Sequence, residues 1–195
     1  MLGAARELAR RQWRLALCLG IFALLALPAW PATVDDVYIT LTYARHWAET
    51  GVLEWTTGER VEGYSNFLWT LLIGLAWKLG AEPWYSSKVL GFVFGVVTMG
   101  LSYRIAKRLR PELDAAPLLP PFLLAASTQF VVWNASGLEN SLFNLFLASG
   151  IYGLLREGEQ ALIFPWSAVA FLGLALTRPE GIAYASVGLL TRGCL

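Results

Sequence analysis

Long uncharged stretches alternate with short polar ones along this chain. The uncharged runs are Leu15–Val34, Gly63–Trp77, Val89–Tyr103, Ala115–Leu138, Asn140–Leu155, Gln160–Thr177 and a shorter Gly181–Thr191. Several approach the roughly 20 residues a helix needs to cross a bilayer core. Trp, Tyr and Phe gather at their ends, as in the aromatic belts of membrane interfaces. The pattern predicts an all-α, polytopic transmembrane helix bundle, with residues 1–195 forming one domain. Gly63–Trp77 is among the short runs. At about 15 residues and 1.5 Å per residue it reaches roughly 22 Å, short of the ~30 Å core. It is read as dipping into the outer leaflet or lying at its surface.

Between the first two runs lies a polar loop, residues 32–64, where Asp35, Asp36, Glu49, Glu54, Glu59 and Glu62 face only Arg45 and Arg60. Inside it, Val37, Leu41, Ala44 and Ala48 recur at helical spacing. Tyr38, Tyr43 and Trp47 suit an amphipathic helix seated in the headgroup plane. Gly51 is placed to stop that helix, and Leu53–Gly58 reads as a turn or short extended piece.

Composition sharpens this picture. The chain is 56% hydrophobic and 15% charged, against about 25% charged for a soluble domain. A net charge of +1 leaves no footprint for nucleic acid. Cys18 lies in the first run and Cys194 at the far end, so neither a disulfide framework nor a cysteine metal site is expected. His46 is the only histidine, which argues against a His-rich zinc site or a His-based triad. Arg6, Arg10, Arg11 and Arg14 should hold the N-terminus in the cytoplasm. Leu15–Val34 exceeds a signal-peptide core of 7–15 residues, so an uncleaved anchor in the plasma membrane is expected. If Gly63–Trp77 does not cross, Lys107–Arg110, Arg156 and Arg192 fall inside. Asp35-Asp36, the Asn134–Asn140 loop and the Thr177–Gly181 loop then share the outer face.

Those three clusters hold the candidate chemistry. Asp35 and Asp36 are adjacent carboxylates at a membrane surface, where membrane enzymes acting on lipid-linked substrates place their acid/base groups. Each cluster also fits a capping box, Thr33-x-x-Asp36, Ser136-x-x-Glu139 and Thr177-x-x-Glu180. Capping is the simpler account of Glu139 and Glu180 taken singly, and it leaves Asp35 unexplained. Arg178 stands at a membrane boundary, where a charge is costly unless paired or functional. The plain alternatives are a snorkelling anchor or a partner for Glu180. Tyr64, Ser65, Asn66 and Trp69 offer hydroxyls, an amide and aromatic faces to a sugar, or simply an interfacial belt. Asn134-Ala-Ser136 matches a glycosylation sequon, though so near the membrane it is read as a helix cap.

Asp-Asp-Val-Tyr-Ile-Thr (35–40), Tyr-Ala-Arg (43–45) and Gly-Glu-Arg-Val-Glu-Gly-Tyr-Ser-Asn-Phe-Leu-Trp (58–69) resemble the GT-C superfamily of membrane glycosyltransferases. The likeness is to the bacterial arabinofuranosyltransferase-like and mannosyltransferase-like branch. Gly137–Asn140 and Thr177–Gly181 look like that branch's later outer loops. The resemblance implies cell-envelope synthesis with a polyprenyl-phosphate sugar donor and a glycan or lipid acceptor. Asp35 or Asp36 would be the base, with Arg60, Glu62, Tyr64, Asn66, Glu139, Arg178 and Glu180 around the substrates. Some members of the superfamily use a divalent cation, for which Asp35 and Asp36 would be the ligands. Its members are usually longer, so the chain corresponds to an N-terminal part. A lipid-linked substrate transporter and a non-catalytic membrane scaffold are the competing readings.

Overall fold

The computed structural model describes residues 2–59, 61–113, 115–159 and 164–193, with side chains from Trp13 onward. It is all-helical: α1 (Leu2–Ala29), α2 (Asp36–Thr50), α3 (Phe67–Lys78), α4 (Pro83–Leu109), α5 (Leu119–Ala126), α6 (Thr128–Ala135), α7 (Asn140–Glu159), α8 (Trp166–Thr177) and α9 (Gly181–Gly193). Among the described residues no strand forms, and the nearest thing to one is an isolated bridge between Thr56 and Glu59.

Local chemistry sets the helix limits. Gly51 adopts φ 81° and returns its N–H to the Trp47 carbonyl, stopping α2. Glu82 caps α4 by accepting from the Tyr85 N–H at 2.7 Å, with Pro83 in the first turn. Ser127 breaks the run from Ala115 to Leu138 into α5 and α6, bent by 64°. That run is therefore not one straight span. Within the expected span from Gln160 to Thr177, Phe164 and Pro165 precede the helix that begins at Trp166, and residues 160–163 lie outside the described ones.

One helix among the described residues, α4, is long and apolar enough to cross a membrane, or two if the bent pair counts as one span. α3, with 12 residues, measures about 18 Å at 1.5 Å per residue. It is too short to cross a ~30 Å core.

Side-chain contacts fix the direction of each helix. Lys88, near the start of α4, reaches the carbonyls of Ala32 and Ala135, just beyond the end of α1 and at the end of α6. At the other end of the molecule Arg108 of α4 meets Glu159 of α7. There too, Glu157 accepts from Ser167 at the start of α8 and from Arg192 at the end of α9. Thus α4, α7 and α9 run one way, and α1, α6 and α8 run back. α2 and α3 both start at the end that holds Ala32 and Ala135, since Asn66 bonds Thr40. Lys107, Arg108, Arg156 and Arg192 sit in the final turns of α4, α7 and α9, at the opposite end.

Close packing is made by small residues. A Cβ on Gly91 would lie 2.6 Å from the Asn134 carbonyl, and one on Gly95 2.6 Å from the Asn134 side chain. This Gly-x-x-x-Gly face lets α6 lie directly on α4. Tyr43, expected at the headgroups, is instead 1% exposed; its hydroxyl donates to Val61 O and accepts from Gly63 N–H. Gly91→Val should therefore lose about 1–3 kcal/mol through overpacking. Gly20→Val, with nothing within 4 Å of its Cβ, should melt like the parent in a detergent thermal scan.

Candidate active site

Five chain segments meet at one end of the bundle around a cavity of about 600 Å³. Its lining includes Asp36 at the start of α2, Tyr64-Ser65-Asn66 before α3, Glu139-Asn140 at the start of α7 and Arg178 between α8 and α9. The three polar clusters, far apart in sequence, thus share one cavity.

Glu139 organises the floor. It is 5% exposed, and each carboxylate oxygen has a partner from a different element. Asn66 Nδ2 donates to Oε2 at 2.9 Å and Arg178 Nη1 to Oε1 at 2.7 Å. Asn66 is held in turn: its Nδ2 also donates to Thr40 Oγ1, and its Oδ1 accepts from Thr70. Arg178 further donates through Nε to Glu180 at 2.6 Å and through Nη1 to Asn140 Oδ1 at 3.1 Å. Glu180's own backbone N–H is the main cause holding its carboxyl below the usual range, with Arg178 adding to it.

These partners replace the expected capping boxes. Glu139 is bound across the fold, and the Ser136 hydroxyl donates to Trp133 O. The Thr177 hydroxyl donates back to Gly173 O within α8, leaving Glu180 to Arg178. Asp35 precedes α2 without a side-chain cap bond, and Thr33 accepts from the Trp84 indole. The sequon Asn134 is 1% exposed and its Nδ2 donates to Phe130 O, so it caps nothing.

Of the two aspartates, Asp36 lines the cavity, while Asp35 is exposed beside it. Among the described residues, neither gathers with other Asp, Glu, His or Cys side chains into a group of three suited to a metal ion. Tyr64 lines the wall; burial raises its phenol, with Glu62 and Tyr43 adding to the effect. Glu62 itself is exposed. Trp69, read as facing a sugar or belonging to an interfacial belt, is fully buried and donates its indole N–H to Gly137 O at 3.1 Å. It braces the loop beneath Glu139. Arg60 lies outside the described residues.

Sequence reasoning missed Thr40, Thr70, Gln129 and Lys88. Lys88 carried a readable signal, an ionisable residue at the edge of an apolar run, which marks a buried polar role. It is fully buried, its Nζ 2.6 Å from Ala32 O and 3.0 Å from Ala135 O, and 4.7 Å from the Trp84 ring centroid.

The sequence matches no family model, no curated protein and no solved structure at a significant level. The glycosyltransferase likeness rests on the motifs quoted above alone.

Removing Arg178 would strand the buried Glu139 carboxylate. Breaking a sealed pair costs about 3–5 kcal/mol. The Arg178 side chain is 32% exposed, so solvent screening should reduce the loss for Arg178→Met to about 2–3 kcal/mol. Glu180→Gln, at the open side of Arg178, should cost under about 1 kcal/mol. Denaturant unfolding of both variants in micelles checks the difference.

Proposed function

We propose that the chain is the catalytic face of a multi-pass membrane glycosyltransferase that moves a sugar from a polyprenyl-phosphate donor to an acceptor hydroxyl outside the cytoplasm. The observation that carries the reading is Asp36 in the same cavity as Arg178. No hydrogen bond or ion pair engages the Asp36 carboxylate among the described residues, so it is free to accept a proton. Arg178 Nη2 has no partner among them either, and it faces a site that a leaving phosphate can reach.

In this mechanism the Asp36 carboxylate takes the proton of the acceptor hydroxyl as that oxygen attacks the anomeric carbon. The bond from that carbon to the phosphate oxygen breaks, and the lipid phosphate leaves with the electron pair. Arg178 and the helix starts at Asp36, Phe67 and Asn140 direct positive charge toward the departing oxygens. Glu139 and Glu180 hold the guanidinium in place and offset part of its charge. No step is routed through a metal.

The membrane placement draws on hydropathy, on the alternating helix directions and on the basic residues at the end opposite the cavity. By the positive-inside tendency they support the reading in which the cavity faces outward. The engagement of Arg178 Nε and Nη1 by two carboxylates favours one competing reading, in which the network is only a structural bolt.

The two separate in an assay of the chain in nanodiscs with radiolabelled polyprenyl-phosphate sugars. Asp36→Asn should lower transfer by about 10²–10⁴ without loss of folding, and Asp35→Asn should stay within several-fold of the parent. Transfer that survives Asp36→Asn, or its absence with every donor, sinks the proposal.

A further inference from the structure

A second, smaller cleft of about 290 Å³ opens beside the main cavity and shares Ile39 and Gly63 with it. Its other walls are Tyr43, Trp55 and Val61. Gly63 stands where the two compartments join, and a Cβ there would come within 2.9 Å of the Tyr43 hydroxyl. The absence of a side chain lets the Tyr43 hydroxyl lie against the Gly63 backbone, whose N–H it accepts at 3.0 Å.

Trp55 is presented rather than merely left outside. Its backbone N–H donates to Glu59 O at 3.3 Å, and Thr56 Oγ1 donates to Glu59 Oε2 at 2.9 Å. Gly58 turns the chain with φ 88°. The preceding residue, Glu54, is buried against His46 Nε2 at 3.1 Å, which pins the base of the turn. Tyr43 then acts as a wedge. Its centroid is 5.6 Å from Trp55 and 4.7 Å from Tyr64, at 60° and 55°. Trp55 stays 39% exposed despite these supports.

We infer that this cleft is the acceptor subsite of the proposed transferase and takes a saccharide ring, stacked on Trp55 with its hydroxyls turned past the shared Ile39 and Gly63 toward Asp36. The inference rests on the transferase reading. A sugar ring has a C–H face, which suits an aromatic wall, and a hydroxyl rim. The rim would meet Ser65, Gln129 and the Asp36 carboxylate in the adjoining cavity. A lipid tail is a poorer fit, because the cleft opens into that polar cavity. More apolar grooves lie elsewhere among the described residues, one along α7 and α9 between Leu147 and Thr191 and one around Leu24, Trp30 and Phe92.

Saturation-transfer NMR on the chain in nanodiscs, with a panel of methyl furanosides and pyranosides as probes, tests this. At least one glycoside should bind with its ring C–H protons closest to the protein. Trp55→Ala should weaken it roughly tenfold or more, and Trp55→Phe should retain most of the affinity. Val61→Trp, which fills the cleft from a 61% exposed position, should block binding while leaving Trp55 in place.

No bound glycoside, or unchanged affinity in both Trp55→Ala and Val61→Trp, overturns the inference and leaves Trp55 as an interfacial anchor. Glycoside binding lost in Trp55→Ala by a chain that transfers nothing would keep the subsite and end the transferase reading. Transfer at an unchanged acceptor KM in Trp55→Ala would do the reverse.

Discussion

The arrangement of the cavity depends on one buried amine. Lys88 brings Nζ between Ala32 O and Ala135 O, two carbonyls from segments that are distant in sequence. Taking a lysine out of water costs several kcal/mol unless its donors are met. Two carbonyls and the Trp84 face meet them here, with no carboxylate in hydrogen-bond contact among the described residues. Asp36 follows the first carbonyl by one helical turn of chain, and Glu139 follows the second by the same distance. A single nitrogen therefore sets where both acidic arms begin. The tie also joins the end of α1, the start of α4 and the end of α6, before α7 adds its own residues to the cavity.

Around that tie the bundle keeps two unlike ends. The cavity end holds Asp36, Glu139 and Glu180 with Arg178, and several helix starts supply partial positive charge there. The far end carries the basic final turns of α4, α7 and α9, tempered by Glu157 and Glu159. Glu157 joins α7, α8 and α9 at that end through Ser167 and Arg192, as Arg178 and Glu139 join α7 to the α8–α9 corner at the other. Helices clamped at both ends leave little room for sliding. A substrate would thus meet a largely preformed site.

Much of this was legible in the sequence, and the exceptions are physical. The amphipathic helix after Asp35, its stop at Gly51 and the shortness of Gly63–Trp77 follow from local spacing and length, which the sequence displays. The capping boxes failed because they too are local. The pattern could not see that Glu139 would meet Asn66, 73 residues earlier, and Arg178, 39 residues later. Tyr43 and Trp69 were misplaced for a related reason. An aromatic residue near an apolar run reads as interfacial, whereas here each hydroxyl or indole N–H finds a backbone partner inside the fold. The break at Ser127 is a side-chain cap within an otherwise unbroken apolar run, so hydropathy alone passes over it. Trp55 lay in a stretch read as a turn or short extended piece, which concealed its place beside the cavity.

Asn134 gives the fold an unplanned chemical record. Its sequon is intact in sequence, yet its amide is enclosed by α4 and α6 once Gly91 and Gly95 receive the helix. In a secretory compartment that glycosylates asparagine, a chain that closed promptly would offer nothing to modify. A chain that lingered with α6 unseated would take on a glycan too large for the Gly-x-x-x-Gly face, and the added sugar would bar it from closing later. The same close approach that seals the bundle would make a delay in assembly irreversible and visible as a shift in mass.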